Sequence, residues 1–382
     1  TSALDSLSDT ALKKVALQIE GINIKKMSGQ GFQKHSSFKR AVSSALTSPS
    51  VNSLTKNNYA SLSLNELNFS EDQNQTQVYS FNNFDFKSMA KIFKSKDLFS
   101  LKSKDNTLVI RTFADNFNQD KINDDVGYEA TSVGILIGNQ NSLTDEIQQG
   151  WSLGFTTRDN NFDDGFGKSD SNTFHAMIYQ NQEYDNFILG LNVGTFFTRA
   201  DMKREITEGS VQSLKSRGHD FGFDITADIK KLYLLKNDFI FTPSFSANVS
   251  FTIQDDLDET GGDLALSLKN DDLLIIKPEI GFALYKNFKK SETKIESFGF
   301  SIYGSYEEKL DGTTSIAKIK DTGSNFNIVD DNTNDTFLTV GLGYNLKNIQ
   351  NNTESNFGVY YTQNDDDNLN SSLLSYSYKK TF

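Results

Sequence analysis

From Asn106 to Phe382, apolar and polar residues alternate along the chain in a series of segments. A period of two is typical of β-strands, because successive side chains of a strand point to opposite faces of the sheet. The alternation predicts twelve strands. They are Asn106–Asn116, Gly127–Asn139, Gln149–Thr157, Asn172–Asn181, Asn186–Arg199, Arg217–Lys230, Asp238–Ile253, Leu273–Asn287, Lys294–Glu307, Asp335–Leu346, Glu354–Gln363 and Asn370–Phe382.

The two faces of these segments differ in chemistry. Val133, Ile135 and Ile137 lie on one face of the second segment, and Gly134 and Gly138 lie on the other. In a membrane barrel the apolar face contacts lipid, whereas small and polar side chains line the lumen. The lumen-facing candidates are Arg111, His175, Asn192, Asp224 and Asp228.

The segments predict an all-β protein, namely a closed antiparallel transmembrane β-barrel of about 12 strands. Alternation alone leaves a soluble β-sandwich open, because the strands of a sandwich also have one buried and one wet face. The number and length of the segments favour the barrel. An even number of strands also leaves both ends of the barrel chain on the same side.

Short and long connections alternate along most of the series, as expected when one rim faces the periplasm and the other faces outside. The short connections are 184–185, 231–237 and 289–293, and the long polar ones are 160–171, 200–216, 254–269 and 308–334. Acidic runs at 255–259 and 364–368 predict solvated loops. These runs lack the ordered spacing of a dedicated calcium site.

The last segment brings Leu374, Tyr376, Tyr378 and Phe382 to one face of a strand. In a soluble sheet an uncovered edge of this kind would promote aggregation. In a closed barrel the last strand pairs with the first. We therefore expect the last segment to pair antiparallel with the segment at 106–116.

Residues 1–104 form a different region, which we predict to be a linker or passenger remnant ahead of a barrel at 105–382. Residues 1–104 carry 14 Lys+Arg and 8 Asp+Glu, a net charge of +6, so the chain total of −12 leaves −18 for the rest. Helical periodicity predicts helices near 4–20 and 85–94. Lys87, Lys91 and Lys94 lie on one side of the second helix, which is either a solvated surface helix or a segment held inside the acidic barrel.

Composition alone does not identify a membrane protein. The chain is 36% apolar with a mean hydropathy of −0.49, yet membrane barrels escape hydropathy tests because their strands are half polar. Cysteine is absent, which removes disulfides and thiolate metal sites. The sequence begins with Thr1, so we expect a mature protein or a fragment without its signal peptide. The acidic balance of 105–382 argues against nucleic-acid binding.

Motifs for catalysis are weak. The chain has three histidines, His35, His175 and His219, but no G-x-S-x-G turn, no H-E-x-x-H zinc motif and no phosphate-binding loop. His175 is predicted to face the lumen and His219 to lie at a rim. We expect no cofactor, no metal and no bond chemistry. An outer-membrane porin or barrel enzyme is the alternative, and a soluble all-β adhesin module is the third hypothesis.

Five motifs occur in order along 106–382. They are Val109–Phe113 (VIRTF), Gly127–Gly138 (GYEATSVGILIG), Trp151–Phe155 (WSLGF), Phe241–Ser244 (FTPS) and the terminal LSYSYKKTF. In this order they resemble the strands of an autotransporter β-domain, the translocator barrel of type V secretion. Residues 1–104 do not resemble a β-helical passenger.

The resemblance implies a twelve-stranded barrel in the outer membrane of a Gram-negative bacterium, with a helical segment threaded through its lumen. The implied function is to anchor an N-terminal passenger and export it to the cell surface. The implied partners of this monomer are outer-membrane lipid, the barrel-assembly machinery and its own passenger. The family's assembly signal falls on Leu374, Tyr376, Tyr378 and Phe382, whereas Lys380 stands where the family usually has an apolar residue.

Overall fold

The structure is a computed structural model. It describes residues 105–121, 126–144, 146–184, 187–207, 211–291, 293–320, 325–329, 334–365 and 369–382. The helices predicted near 4–20 and 85–94, together with Lys87, Lys91 and Lys94, lie outside the described residues. Within those residues, no helix is both long enough and apolar enough to cross a membrane.

Antiparallel β-strands make up nearly all of the described chain. In chain order they are β1 (Asp105–Gln119), β2 (Tyr128–Ser142), β3 (Ile147–Phe162), β4 (Gly167–Tyr184), β5 (Phe187–Ile206), β6 (Gln212–Lys231), β7 (Tyr233–Leu234), β8 (Phe239–Gln254), β9 (Leu257–Asp258), β10 (Leu266–Asn270), β11 (Leu273–Ser291), β12 (Lys294–Asp311), β13 (Thr314–Ile319), β14 (Asn325–Val329), β15 (Asn334–Asn348), β16 (Thr353–Asn364) and β17 (Leu369–Thr381). Two short 3-10 turns, at 163–165 and 236–238, interrupt the series.

Twelve of the strands close into a ring, which confirms the predicted barrel. Their order is β1-β2-β3-β4-β5-β6-β8-β11-β12-β15-β16-β17, and β17 pairs antiparallel with β1. The two-residue strand β7 pairs with the beginning of β8. Ring closure gives each of the twelve strands two neighbours, which satisfies the backbone hydrogen bonds that lipid cannot satisfy.

The closing seam lies between β1 and β17, from Thr107↔Thr381 to Gln119↔Leu369. At its end the backbone N–H of Phe382 donates to the carbonyl of Asn106 over 2.9 Å, so the two ends of the barrel chain meet. We call this end the terminal rim. The opposite end, where β5 ends and β6 begins, is the loop rim.

Side chains alternate across the wall as the sequence pattern predicts. In β2, Val133 is 54% exposed on the outside, whereas its neighbour Ser132 is 1% exposed on the inside. The outward apolar set continues around the ring with Trp151, Phe174, Phe221, Val249, Leu342 and Val359. An apolar outer surface with a polar inner face is stable when lipid surrounds the ring.

Inward-facing aromatic rings lie directly opposite glycines on the neighbouring strand. Phe113 pairs in register with Gly134, and Phe196 pairs with Gly222. A Cβ atom added at either glycine would overlap the facing ring. The pairs Tyr179–Gly150, Tyr285–Gly299, Tyr303–Gly281 and Tyr360–Gly341 repeat the arrangement. Each ring therefore fills the space that its partner glycine leaves on the inner wall.

Two of the predicted long loops are wrong, because the strands continue through them. Residues 160–171 are strand except for the tight turn around 163–165, and most of 200–216 belongs to β5 and β6. The alternation of exposed and buried positions persists there, for example with Asp201 exposed beside buried Ala200 and Met202. These parts of the strands extend beyond the apolar band, so their outer face is polar. A polar stretch is also typical of a loop, which is why the sequence pattern predicted loops here.

The other two predicted long connections, 254–269 and 308–334, do join wall strands, but they contain short strands of their own. They contribute β9, β10, β13 and β14, which form a separate four-stranded sheet in the order β14-β13-β10-β9. We call it the mouth sheet. Its connections leave the wall at β8–β11 and β12–β15, and the acidic residue Glu259 beside it is buried rather than solvated.

Candidate functional site

The inner wall of the barrel is polar and densely packed. Arg111 on β1, His175 on β4 and Asp224 on β6 are all buried and lie on the inward face of their strands. Asp228 also points inward, 3.0 Å from the Nζ atom of Lys230. Asn192 is half-buried on the inward face of β5. The structure thus places all five lumen-facing candidates on the interior side of the ring.

Hydroxyl and amide side chains connect neighbouring strands across this inner wall. The Thr156 hydroxyl and His175 Nε2 lie 3.0 Å apart, and the hydroxyls of Thr173 and Thr198 lie 2.8 Å apart. Asn248 Nδ2 donates to the hydroxyl of Thr226 over 2.9 Å. Such lateral bonds provide hydrogen-bond partners for polar side chains that are buried in the inner wall.

A charged cluster lies inside the wall near the terminal rim. Glu354 on β16 accepts a hydrogen bond of 2.7 Å from Asn345 Nδ2 and lies 3.7 Å from Lys379 Nζ. Lys347 and Lys379 are its register partners on the two neighbouring strands. An inward carboxylate therefore lies between two cationic side chains beside the strand that closes the ring.

The mouth sheet closes the loop rim from the inside. Its apolar residues Leu257, Leu266, Leu268, Ala317 and Ile328 form one buried cluster with inward-facing residues of the wall. The wall residues of this cluster are Phe117, Tyr128, Ala130, Phe162, Ala200 and Met202, and Phe166 joins it from the turn between β3 and β4. The ring of Tyr128 packs between Phe117 and Phe162, with centroid distances of 5.4 and 5.3 Å. The interior is thus covered at this rim by an apolar contact.

A buried ion pair joins the mouth sheet to the wall. Arg204 on β5 donates from Nε to Glu259 Oε1 over 2.9 Å and from Nη2 to Oε2 over 2.5 Å. The two side chains are 1% and 2% exposed. Leu266 N–H also donates to Glu259 over 3.0 Å, and Arg204 Nη2 donates to the carbonyl of Leu264 over 3.1 Å. This two-pronged geometry is the strongest form of the arginine–carboxylate bond.

The terminal aromatic residues lie on the outer surface. Leu374, Tyr376 and Phe382 are exposed on the outward face of β17 or just after it, and Tyr378 is half-buried on the same face. Lys380 also points outward, and its Nζ atom lies 5.3 Å from the centroid of the Phe382 ring. A lysine at the rim of the apolar band extends its ammonium toward water, so it is compatible with a membrane strand.

The two histidines among the described residues lie on opposite faces of the wall. His219 lies on the outer surface, where Nδ1 is 3.0 Å from Asp255 and the imidazole ring stacks on Phe197. Across the described ranges, no group of three or more His, Asp or Glu residues could hold a metal ion.

Sequence reasoning missed Arg158, Arg204 and Glu259. Arg158 is a buried arginine of β3 whose guanidinium lies 5.2 Å from the Phe117 ring centroid. Arg204 could have been found, since it follows Ala200 and Met202 at a spacing of two and so lies on their inward face. Its pairing with Glu259 could not have been found, because the two residues are 55 positions apart and the sequence between them carries no signal for which loop turns inward.

A closed ring with an apolar outside and a polar inside defines a transmembrane β-barrel. Comparison with known families identifies the kind: residues 108–367 match the model of the autotransporter beta-domain family, so this chain belongs to that family. It is therefore a Gram-negative outer-membrane barrel that exports a passenger, as the sequence motifs predicted. The family is not an enzyme family.

Solved structures agree on the fold. The translocator domain of autotransporter NalP from Neisseria meningitidis matches with a TM-score of 0.56 and 11% identity, covering 78% of this chain and 95% of that one. The beta domain of the Bordetella autotransporter BrkA matches with a TM-score of 0.55 and 14% identity, covering 73% and 100%. No curated protein sequence matches this chain.

Proposed function

We propose that the N-terminal region passes through the barrel and emerges at the loop rim, which faces the cell exterior. The observation that carries the proposal is the closed ring whose first strand begins beside its last residue at the terminal rim. Residues that precede β1 therefore join the wall at that rim. For them to be exported, they must cross the interior.

The interior wall supports passage of a chain because it presents polar groups toward the lumen. Arg111, His175, Asn192, Asp224 and Asp228 are the residues that we assign to this lining. The excess of acidic residues in 105–382 suits the basic helix that we predict at 85–94. Lys87, Lys91 and Lys94 are the side chains that we expect to hold this helix in the lumen after export, which makes 1–104 the linker between barrel and passenger.

Assembly is expected to depend on the closing strand. Leu374, Tyr376, Tyr378 and Phe382 form the signal that we propose is recognised by the barrel-assembly machinery before the strand meets β1. The outward exposure of three of these side chains supports recognition from the membrane side. We also propose that the barrel works as a monomer, because each wall strand already has two partners within the ring.

The proposal is tested by placing an epitope ahead of Thr1, in a chain directed to the periplasm by a secretory signal. Intact cells should bind antibody against the epitope and lose it on protease treatment. The matched control lacks Phe382 and should show weak assembly and little surface epitope. A barrel that is fully folded by heat-modifiable migration, with its epitope still in the periplasm, would contradict export through the lumen.

A further inference from the structure

We propose that the mouth sheet is a movable lid, latched by Arg204 and Glu259, which must swing out of the loop rim before a chain can pass. This inference rests on the proposed export through the interior. Within the described residues, the mouth sheet shares one isolated pair of backbone partners with the wall, Lys215↔Thr260. The ring is therefore closed without the mouth sheet.

The position of the mouth sheet makes it an obstruction. Its connections rise from β8–β11 and from β12–β15, which lie across the ring from β1–β4. Its apolar face nevertheless packs on Phe117, Tyr128 and Phe162, which belong to β1, β2 and β3. The sheet must therefore span the opening from one side to the other. A polypeptide leaving the interior at the loop rim would meet the apolar cluster.

Polar and apolar contacts hold the lid to the wall. The Arg204–Glu259 pair seals one edge of the apolar cluster, and Leu264 N–H donates to Gln212 Oε1 over 3.1 Å. Ala265 is buried against Ile206 and Leu214 of the wall. Removing one partner of a buried pair leaves the other charge unpaired in a dry environment, which strongly favours the open position. The side chains of Arg204 and Glu259 therefore set the balance between closed and open.

The lid can move without damage to the wall. Its four strands are two to six residues long and pair with one another. Among the described residues, 255–256, 271–272 and 312–313 connect its strands to the wall. Opening would break the Lys215–Thr260 pair, the Arg204–Glu259 pair, the Leu264–Gln212 hydrogen bond and the apolar contacts. The hydrogen bonds of the barrel strands would remain.

Locking the lid with a disulfide tests this directly, because the chain has no cysteine of its own. Lys215 and Thr260 exchange two backbone hydrogen bonds of 2.9 Å. Such pairs have Cα atoms about 5.5 Å apart, within the range that a disulfide spans. The test variant is K215C/T260C. The control is K203C/K215C, which joins register partners on β5 and β6 and so locks wall to wall.

The epitope ahead of Thr1 serves as cargo. Surface display of the epitope by the oxidised K215C/T260C variant should fall at least about tenfold, because the disulfide removes the open state. A reductant should restore display, and the oxidised control should match the unmodified chain. Full display by K215C/T260C in which the disulfide has formed completely would overturn the lid. Loss of display in the unmodified chain as well would instead overturn export.

A second measurement reports lid opening independently of export. M202C places a thiol under the lid, and its reaction with a maleimide reports how often the lid opens in the full chain. Adding E259Q should speed labelling about tenfold or more, because the latch loses its charge pair. The control E205Q removes the exposed Lys203–Glu205 pair one position from Arg204 and should leave the rate unchanged. Equal rates for E259Q and E205Q would overturn the latch.

Discussion

The barrel wall and the mouth sheet are both antiparallel, but different interactions hold them. Wall strands form long ladders, such as the one from Thr107 to Gln119 along β17, and every ladder continues into the next until the ring closes. The mouth sheet has ladders of two to five residue pairs and an apolar face pressed on the wall. One buried ion pair, between Arg204 and Glu259, completes that contact.

This difference separates what must stay fixed from what can move. A wall strand cannot leave without exposing backbone groups to lipid, which costs several kcal/mol for each group. The mouth sheet can leave by exposing apolar side chains to water at the rim, where its own hydrogen bonds persist. The same chain thus combines a permanent wall with a separable cover.

The largest expected effect is on the stability of the closed mouth sheet. Arg204→Met leaves the buried Glu259 carboxylate without its cationic partner, and breaking a buried ion pair in this way destabilises the folded state by about 3–5 kcal/mol. We expect trypsin to cleave at Lys269 or Lys318 in the mouth sheet while the barrel keeps its heat-modifiable migration. The double variant R204M/E259L should recover resistance, because apolar side chains can replace a buried pair. Resistance in R204M alone would contradict the latch.

A smaller effect is expected for the wall. Gly222→Ala forces a methyl group against the ring of Phe196, and overpacking of this kind costs about 1–3 kcal/mol. The temperature at which the barrel unfolds in detergent should fall. Gly304→Ala is the matched control, since nothing lies within 4 Å of the added carbon. If both variants unfold at the same temperature, the aromatic–glycine pairs do not stabilise the wall.

The smallest effect concerns acid. Hydrogen bonds from Ser267 and from the Lys320 ammonium lower the pKa of Asp258, which lies on the exposed face of the mouth sheet. A lowered folded pKa contributes stability that is present above the unfolded value of about 3.9 and is lost as the pH falls through the folded pKa. Amides of the mouth sheet should therefore lose a little of their protection from hydrogen exchange below pH ~4, after correction for the intrinsic pH dependence of exchange. Asp258→Asn should remove that pH dependence and give, at neutral pH, the slightly lower protection that the unmodified chain has in acid.

Sequence patterns predicted the wall well because lipid imposes one rule on every strand. That rule is followed by the outward residues Val133, Ile135 and Ile137 and by Leu374 of the closing strand. Each strand could therefore be predicted from its own sequence, without knowledge of its neighbours. The mouth sheet follows no such rule. Leu266 and Leu268 alternate over one short strand, and their partner Phe162 belongs to a distant wall strand. Glu259 is buried because it pairs with Arg204, a residue far away in the sequence. Its acidic neighbours at 255–258 are typical of a solvated loop, so the sequence pattern predicted exposure.

Hydrogen–deuterium exchange of the full chain in a lipid nanodisc tests the distinction between wall and cover most directly. Amides of β9, β10, β13 and β14 should exchange together, by opening as one unit, and faster than those of β1 and β17. Arg204→Met should accelerate the mouth sheet alone. Mouth-sheet amides that exchange as slowly as the closing seam, with or without Arg204, would show that the cover is a fixed part of the wall.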